Sequence, residues 1–113
     1  MFWDNYKLIE LGTRVSLDEF MRNEELKTKV KKGIIGLYLD TMNEVRRVTD
    51  KTDEEAIWEL AKKGIISSNL IQELLDTISI IKNLSKLDDE IIYSMLVRIM
   101  ENFEQLYIAV TKS

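Results

Sequence analysis

The chain has 113 residues, 45% of them apolar and 32% charged, with a formal net charge of −4. This is the balance of one folded domain over 1–113 with a single hydrophobic core, not of a disordered segment. There is no cysteine and no histidine. Disulfides, thiolate metal sites and cysteine nucleophiles are excluded, and the commonest general base at neutral pH is missing.

Proline is absent, and the only glycines are Gly12, Gly33, Gly36 and Gly64. A chain so poor in helix breakers, and rich in Leu, Ile, Lys and Glu, is expected to be all-α. No apolar run reaches transmembrane length, and MFWDNYKLIE has no basic region followed by an apolar stretch. A cytoplasmic location with no membrane contact is therefore expected. The acidity argues against a general nucleic-acid binder. Residues 1–50 are neutral, with nine basic and nine acidic side chains; residues 51–113 carry seven and eleven. The main basic cluster, Lys27, Lys29, Lys31 and Lys32, spreads around a helix and reads as a solvated face rather than an RNA-tracking stripe.

Phe2, Tyr6 and Ile9 share one face of a short first helix that should end near Gly12. Ser16-Leu-Asp-Glu19 is a capping box that starts a short helical turn with Phe20 and Met21. Asn23 can cap the next helix, and Glu24 and Glu25 suit its positive end. Leu26, Val30, Ile34, Leu37, Thr41, Val45 and Val48 then form an apolar stripe, with Ile35, Leu39 and Met42 as a second row beside it. This helix should run from Glu24 to Val48, about 37 Å. Gly33 and Gly36 lie in mid-helix, where each costs about 1 kcal/mol relative to alanine. Close helix–helix packing explains them. A phosphate loop does not, because no strand precedes GIIG and no Lys-Ser pair follows it.

Thr52-Asp-Glu-Glu55 is a second capping box, for a helix through Lys63, and Gly64 is its left-handed stop. Ile65 and Ile66 should fold back onto that helix. Ser67 or Ser68 caps the next one, with Leu70, Leu74, Ile78 and Ile81 buried and Ile71 and Leu75 alongside. Asp88 or Asp89 caps the last helix, whose stripe is Ile92, Leu96, Ile99, Phe103, Leu106 and Val110. A second row at Tyr93, Met100 and Tyr107 asks for a second packing partner, and another subunit would supply it. The architecture expected is an up-and-down bundle of four main helices, as a homodimer.

SLDEFMRNEELKTKV, EEAIWELAKKGII and DDEIIYSML, in this order and spacing, resemble segments of the HepT-like HEPN proteins. The likeness covers most of the chain. It implies a helical ribonuclease toxin that dimerises and pairs with a small nucleotidyltransferase. It also implies where the family's active site falls, between the last two main helices. There the family places an arginine, usually followed by asparagine, then a histidine and often a tyrosine. Here the matching segment is Ile81-Lys82-Asn83-Leu84-Ser85-Lys86-Leu87-Asp88. Asn83 matches, Lys82 stands where arginine is expected, and the stretch bearing histidine and tyrosine is missing.

Metal-independent RNA cleavage needs a base for the 2′-hydroxyl proton and a cation for the phosphorane. Lysine supplies charge without the bidentate fork of arginine, and nothing local replaces imidazole. We therefore expect no catalytic residue, no metal and no cofactor. Lys82, Asn83 and Lys86 read as a solvated interhelical turn, and as the positions of any ligand contact that remains. Glu54, Glu55 and Glu59 read as solvated carboxylates at a helix start. Trp3, Trp58 and Tyr38 read as core or interface residues. Three functions compete: a degenerate HEPN protein acting by binding, an active ribonuclease with a non-standard site, and an unrelated helical adaptor. RNA has the weakest support among the partners.

Overall fold

The computed structural model describes residues 1–113 and contains no strand. Six α-helices follow in order: α1 (Phe2–Thr13), α2 (Leu17–Arg22), α3 (Glu24–Val45), α4 (Asp53–Lys62), α5 (Ile71–Lys82) and α6 (Asp89–Thr111). Short 3-10 turns at Ser68–Leu70 and Leu84–Lys86 introduce α5 and join it to α6. No helix is long and apolar enough to cross a membrane.

Several local signals act as expected. The Ser16 hydroxyl accepts the Glu19 N–H at 3.2 Å, and the Asn23 side chain accepts the Leu26 N–H at 3.0 Å. Gly64 takes φ +75. Its N–H donates to the Ala61 carbonyl at 3.1 Å and the Ile65 N–H to that of Leu60 at 2.9 Å, a Schellman stop. Ile66 is buried, so the chain does fold back after the glycine.

Others are overridden. Helix α1 ends near Gly12 as expected, at Thr13, but the glycine is not its stop: Gly12 lies inside the last turn, buried where an added Cβ would lie 2.8 Å from Leu96 Cδ1. Regular α3 ends at Val45 rather than Val48. Thr52 holds the N-cap position of α4, but its hydroxyl accepts no backbone N–H. Nor do Ser67 or Asp88 bond through their side chains at the starts they occupy.

The core is one cluster of 23 buried apolar residues. It includes Val30, Ile34, Leu37 and Val45 from α3 and the whole α6 stripe from Ile92 to Val110. Helices α1, α3 and α6 pack mutually, the α1–α3 contact being the most extensive. Helix α4 packs on α5, and α5 on α6, while α2 bridges α3 and α6. Gly33 and Gly36 make the α1–α3 approach close, as expected: a Cβ on Gly33 would lie 2.8 Å from Leu8 Cβ.

The second row of α6 has its partner inside the chain. Tyr107 stacks on Phe2 with ring centroids 4.0 Å apart. Tyr93 packs on Phe20, its hydroxyl donating to the Val15 carbonyl at 2.5 Å. Helices α1 and α2 cover this row, so it does not call for a second subunit. Conversely, Ile35 and Leu39 do not join the core beside Met42; they are 48% and 54% exposed. Trp3 and Trp58 are exposed as well rather than packed in the core.

Candidate functional site

Lys82, Asn83 and Lys86 lie together on the α5–α6 connection. Lys82 is the last residue of α5, Asn83 its C-cap, and Lys86 closes the following turn. Leu84, buried, pins that turn to the core. The Asn83 amide donates to the Ser79 carbonyl at 2.8 Å, so this side chain serves its own helix end, as local bonding predicts. Lys86 is exposed.

Lys82 is engaged. Its Nζ lies 2.8 Å from Glu54 Oε1 and 3.5 Å from Asp53 Oδ2, both in the first turn of α4. Asp53 also accepts a hydrogen bond from the Tyr38 hydroxyl of α3. Three helices thus meet at one cluster. The Glu54 carboxylate raises the Lys82 pKa, and Lys82 in turn holds the Glu54 carboxyl below its usual range. Partly exposed pairs of this kind contribute at most about 1 kcal/mol each. Asp53 adopts φ 52, a left-handed conformation that aspartate tolerates better than most residues. The two carboxylates outnumber the one ammonium, so the cluster repels a phosphate rather than gathering one.

The capping boxes and heptad-like stripes gave no sign of this convergence. The sequence pattern makes Thr52 the cap of α4 and Glu54 a solvated carboxylate; in the structure the start of α4 is organised by its carboxylates reaching Tyr38 and Lys82. Spacing along one helix cannot show that partner.

Two further polar centres were also missed. Lys27, one of the four basic residues read as a solvated face, is buried. Its Nζ donates to the Met21 carbonyl at 3.0 Å and lies 3.1 Å from Glu24 and 3.3 Å from Asp89. Lys31 meets the same Asp89 at 2.7 Å. Asp89 is thus a tie between α3 and α6. Between α5 and α6, Arg98 grips Glu73 through Nε at 2.9 Å and Nη2 at 3.2 Å, and reaches Asp76 at 3.3 Å. Buried Asn102 donates to Glu73 at 3.1 Å and to Thr77 at 3.0 Å. Here a signal existed: Glu73 and Thr77, like Arg98 and Asn102, are four apart, so each pair occupies one helix face.

These ties make stability depend on pH at the acid end. Lys31 and then Lys27 hold the Asp89 carboxyl low, Arg98 and Asn102 hold Glu73 low, and Lys82 holds Glu54 low. A carboxyl with a depressed folded pKa stabilises fully above its unfolded value and stops doing so as pH falls through the folded one. The unfolded values are 3.8 for aspartate and 4.5 for glutamate. The pKa values of Lys27, Lys82 and Arg98 are raised, so their contribution is lost only in strong base. Urea midpoints should therefore stay level through neutral pH and fall steadily below about pH 4.5. With no histidine in the chain, a step near pH 6.5 would contradict this account.

A separate cavity of about 200 Å³ lies away from this loop, lined by Phe2, Tyr107, Asp40, Asn43, Glu44 and Arg47, with Met1 at its edge. None of the residues read from the sequence as candidates for chemistry lines it. Compared with known proteins, the chain matches no family model, and neither a curated protein nor a solved structure matches it.

Proposed function

We propose that this chain is a HepT-like HEPN protein that acts by binding, as a homodimer and as the partner of a small nucleotidyltransferase, with its ribonuclease chemistry lost. In this reading α1, α3, α5 and α6 are the four main helices of the bundle, and α2 and α4 are accessory to it. The all-helical fold is compatible with that assignment.

The observation that carries the loss of chemistry is the absence of any histidine, and the surroundings of Lys82 support it. A cation acting on a phosphorane is best placed away from competing carboxylates. Lys82 is instead paired with Glu54 at 2.8 Å and faces Asp53. The Asn83 amide is spent on Ser79. The Tyr93 hydroxyl is spent on Val15. The chain has no imidazole to take the 2′-hydroxyl proton. Nothing in this geometry favours a non-standard ribonuclease over a binding protein.

The test is incubation of extensively purified protein with structured and single-stranded RNA at neutral pH. No cleavage above a buffer control is expected. Cleavage that copurifies with the protein and disappears in Lys82→Ala would overturn the reading. The partner half is tested separately, by co-expression with a nucleotidyltransferase encoded beside this gene. A stable complex on gel filtration is expected, and two independent peaks would remove the partner.

A further inference from the structure

We infer that the outer face of α3 is a self-complementary docking surface, on which a second copy of this chain lays its own α3 in antiparallel register. The inference rests on the homodimer reading above and names the face that does the pairing.

Ile35 and Leu39 are the starting point. They lie one helical turn apart in the middle of the longest internal helix, and both are about half exposed. Glu25, Thr28, Lys32, Ile35, Leu39 and Arg46 follow one another at spacings of three, four, three, four and seven. That is the seam along which one helix meets another. All six are exposed. The opposite side of α3 is occupied by α1 and α6, and Met42 beside the row is buried, so the free strip passes from Leu39 to Arg46 through exposed Asn43.

The charges on this seam choose the occupant. Its N-terminal end carries Glu24 and Glu25, with side chains 84% and 80% exposed. Its C-terminal end carries exposed Arg46 and Arg47. A two-fold axis crossing α3 beside Ile35 and Gly36 brings residues equally distant from that point face to face. Glu25 of one copy then meets Arg46 of the other, Glu24 meets Arg47, and Leu39 lies along the aliphatic stem of Lys32. A parallel arrangement would set Glu24 and Glu25 against their own copies. Only the antiparallel pair is attractive at both ends, and it is isologous, as a closed dimer requires.

The existing partners of these charges do not prevent it. Glu25 pairs with Lys29 at 3.2 Å, Glu24 with Lys27 at 3.1 Å, and Arg47 with Glu44 at 3.6 Å. The Glu25–Lys29 and Arg47–Glu44 contacts join near neighbours at the surface and are weak enough to be shared or exchanged, and Glu24 reaches buried Lys27 through Oε2 alone. The apolar part is small. One helix face with two aliphatic side chains falls short of the roughly 800 Å² per partner of a standard interface. Self-association through so small a face is expected to be weak.

Sedimentation velocity across the micromolar range tests this. Ile35→Glu and Leu39→Glu should each weaken self-association by about tenfold or more. Both positions are exposed, so the helical circular dichroism and the melting curve should stay those of the parent. Arg46→Glu should weaken the dimer, and adding Glu25→Arg to it should restore the parent affinity. A dimer indifferent to Ile35→Glu and Leu39→Glu would overturn this face while leaving the homodimer reading intact. Weakening by Ile35→Glu without rescue by the double charge exchange would overturn the antiparallel register. A monomer at every concentration would overturn both the face and the homodimer.

Discussion

Gly33→Val should lower the unfolding free energy by about 3 kcal/mol, whereas Gly36→Ala should change it by less than about 1. Both glycines lie in α3 against α1, yet what an added carbon meets differs. At Gly33 a Cβ would lie 2.8 Å from Leu8 Cβ and 2.9 Å from the Asn5 carbonyl oxygen. Neither atom can swing aside, since one is fixed to the backbone and the other is part of it. Helix α1 must move away as a body, and that opens the most extensive interhelix contact of the fold. At Gly36 the carbon would lie 2.5 Å from the Asn5 side-chain amide. That amide can rotate away, giving up its 2.8 Å bond to Asp40. The better helix propensity of alanine offsets most of this loss. Urea denaturation reads both changes. Equal losses at the two sites would show that α1 is not held as rigidly as this packing requires.

Phe103→Ala should cost about 3–5 kcal/mol, at the upper end of core truncations. Phe103 is fully buried on α6. Its ring also meets the edge of Tyr38 at 5.9 Å between centroids. Tyr38 in turn donates to Asp53, which faces Lys82. The truncation should therefore loosen the first turn of α4 as well as the core. Lys82→Ala removes only partly exposed pairs and should cost no more than about 1 kcal/mol. Chemical denaturation gives the two energies, and amide chemical shifts of Asp53 and Glu54 report the loosening. If those shifts are undisturbed in Phe103→Ala, then Tyr38 is positioned by something other than Phe103.

The large gap between these two losses bears on the binding reading. The Lys82 cluster is a surface feature supported from beneath by the core. It can be altered without unfolding the protein, so Lys82→Ala is a usable variant for the RNA and partner experiments. Ile35→Glu is usable for the same reason. By contrast, Asp89→Ala would leave buried Lys27 with only Glu24 and the Met21 carbonyl and would unpair Lys31, and a loss of binding in that variant would mix two causes.

What the sequence determined by itself is local. Ser16, Asn23 and Gly64 act within one turn of their own position, and each does what its side chain or its lack of one dictates. The stripes of α3 and α6 are equally local, because periodicity alone settles which face of a helix is apolar. The all-helical class follows from the same rules summed along the chain.

What only the tertiary structure decided is who meets whom. Asp53 lies beside a threonine suited to capping, but its carboxylate bonds Tyr38 and faces Lys82, residues 15 and 29 positions away. Lys27 looks like any lysine of a basic run, and it is buried because α2 and α6 bring a carbonyl and a carboxylate to its ammonium. Ile35 and Leu39 share the composition of the core, yet α1 and α6 leave them outside. By periodicity alone Tyr93 and Tyr107 call for a second subunit, and α1 and α2 cover them instead. A helix propensity or a cap is settled within about one turn, whereas a partner depends on how helices cross, and that depends on every side chain at the crossing.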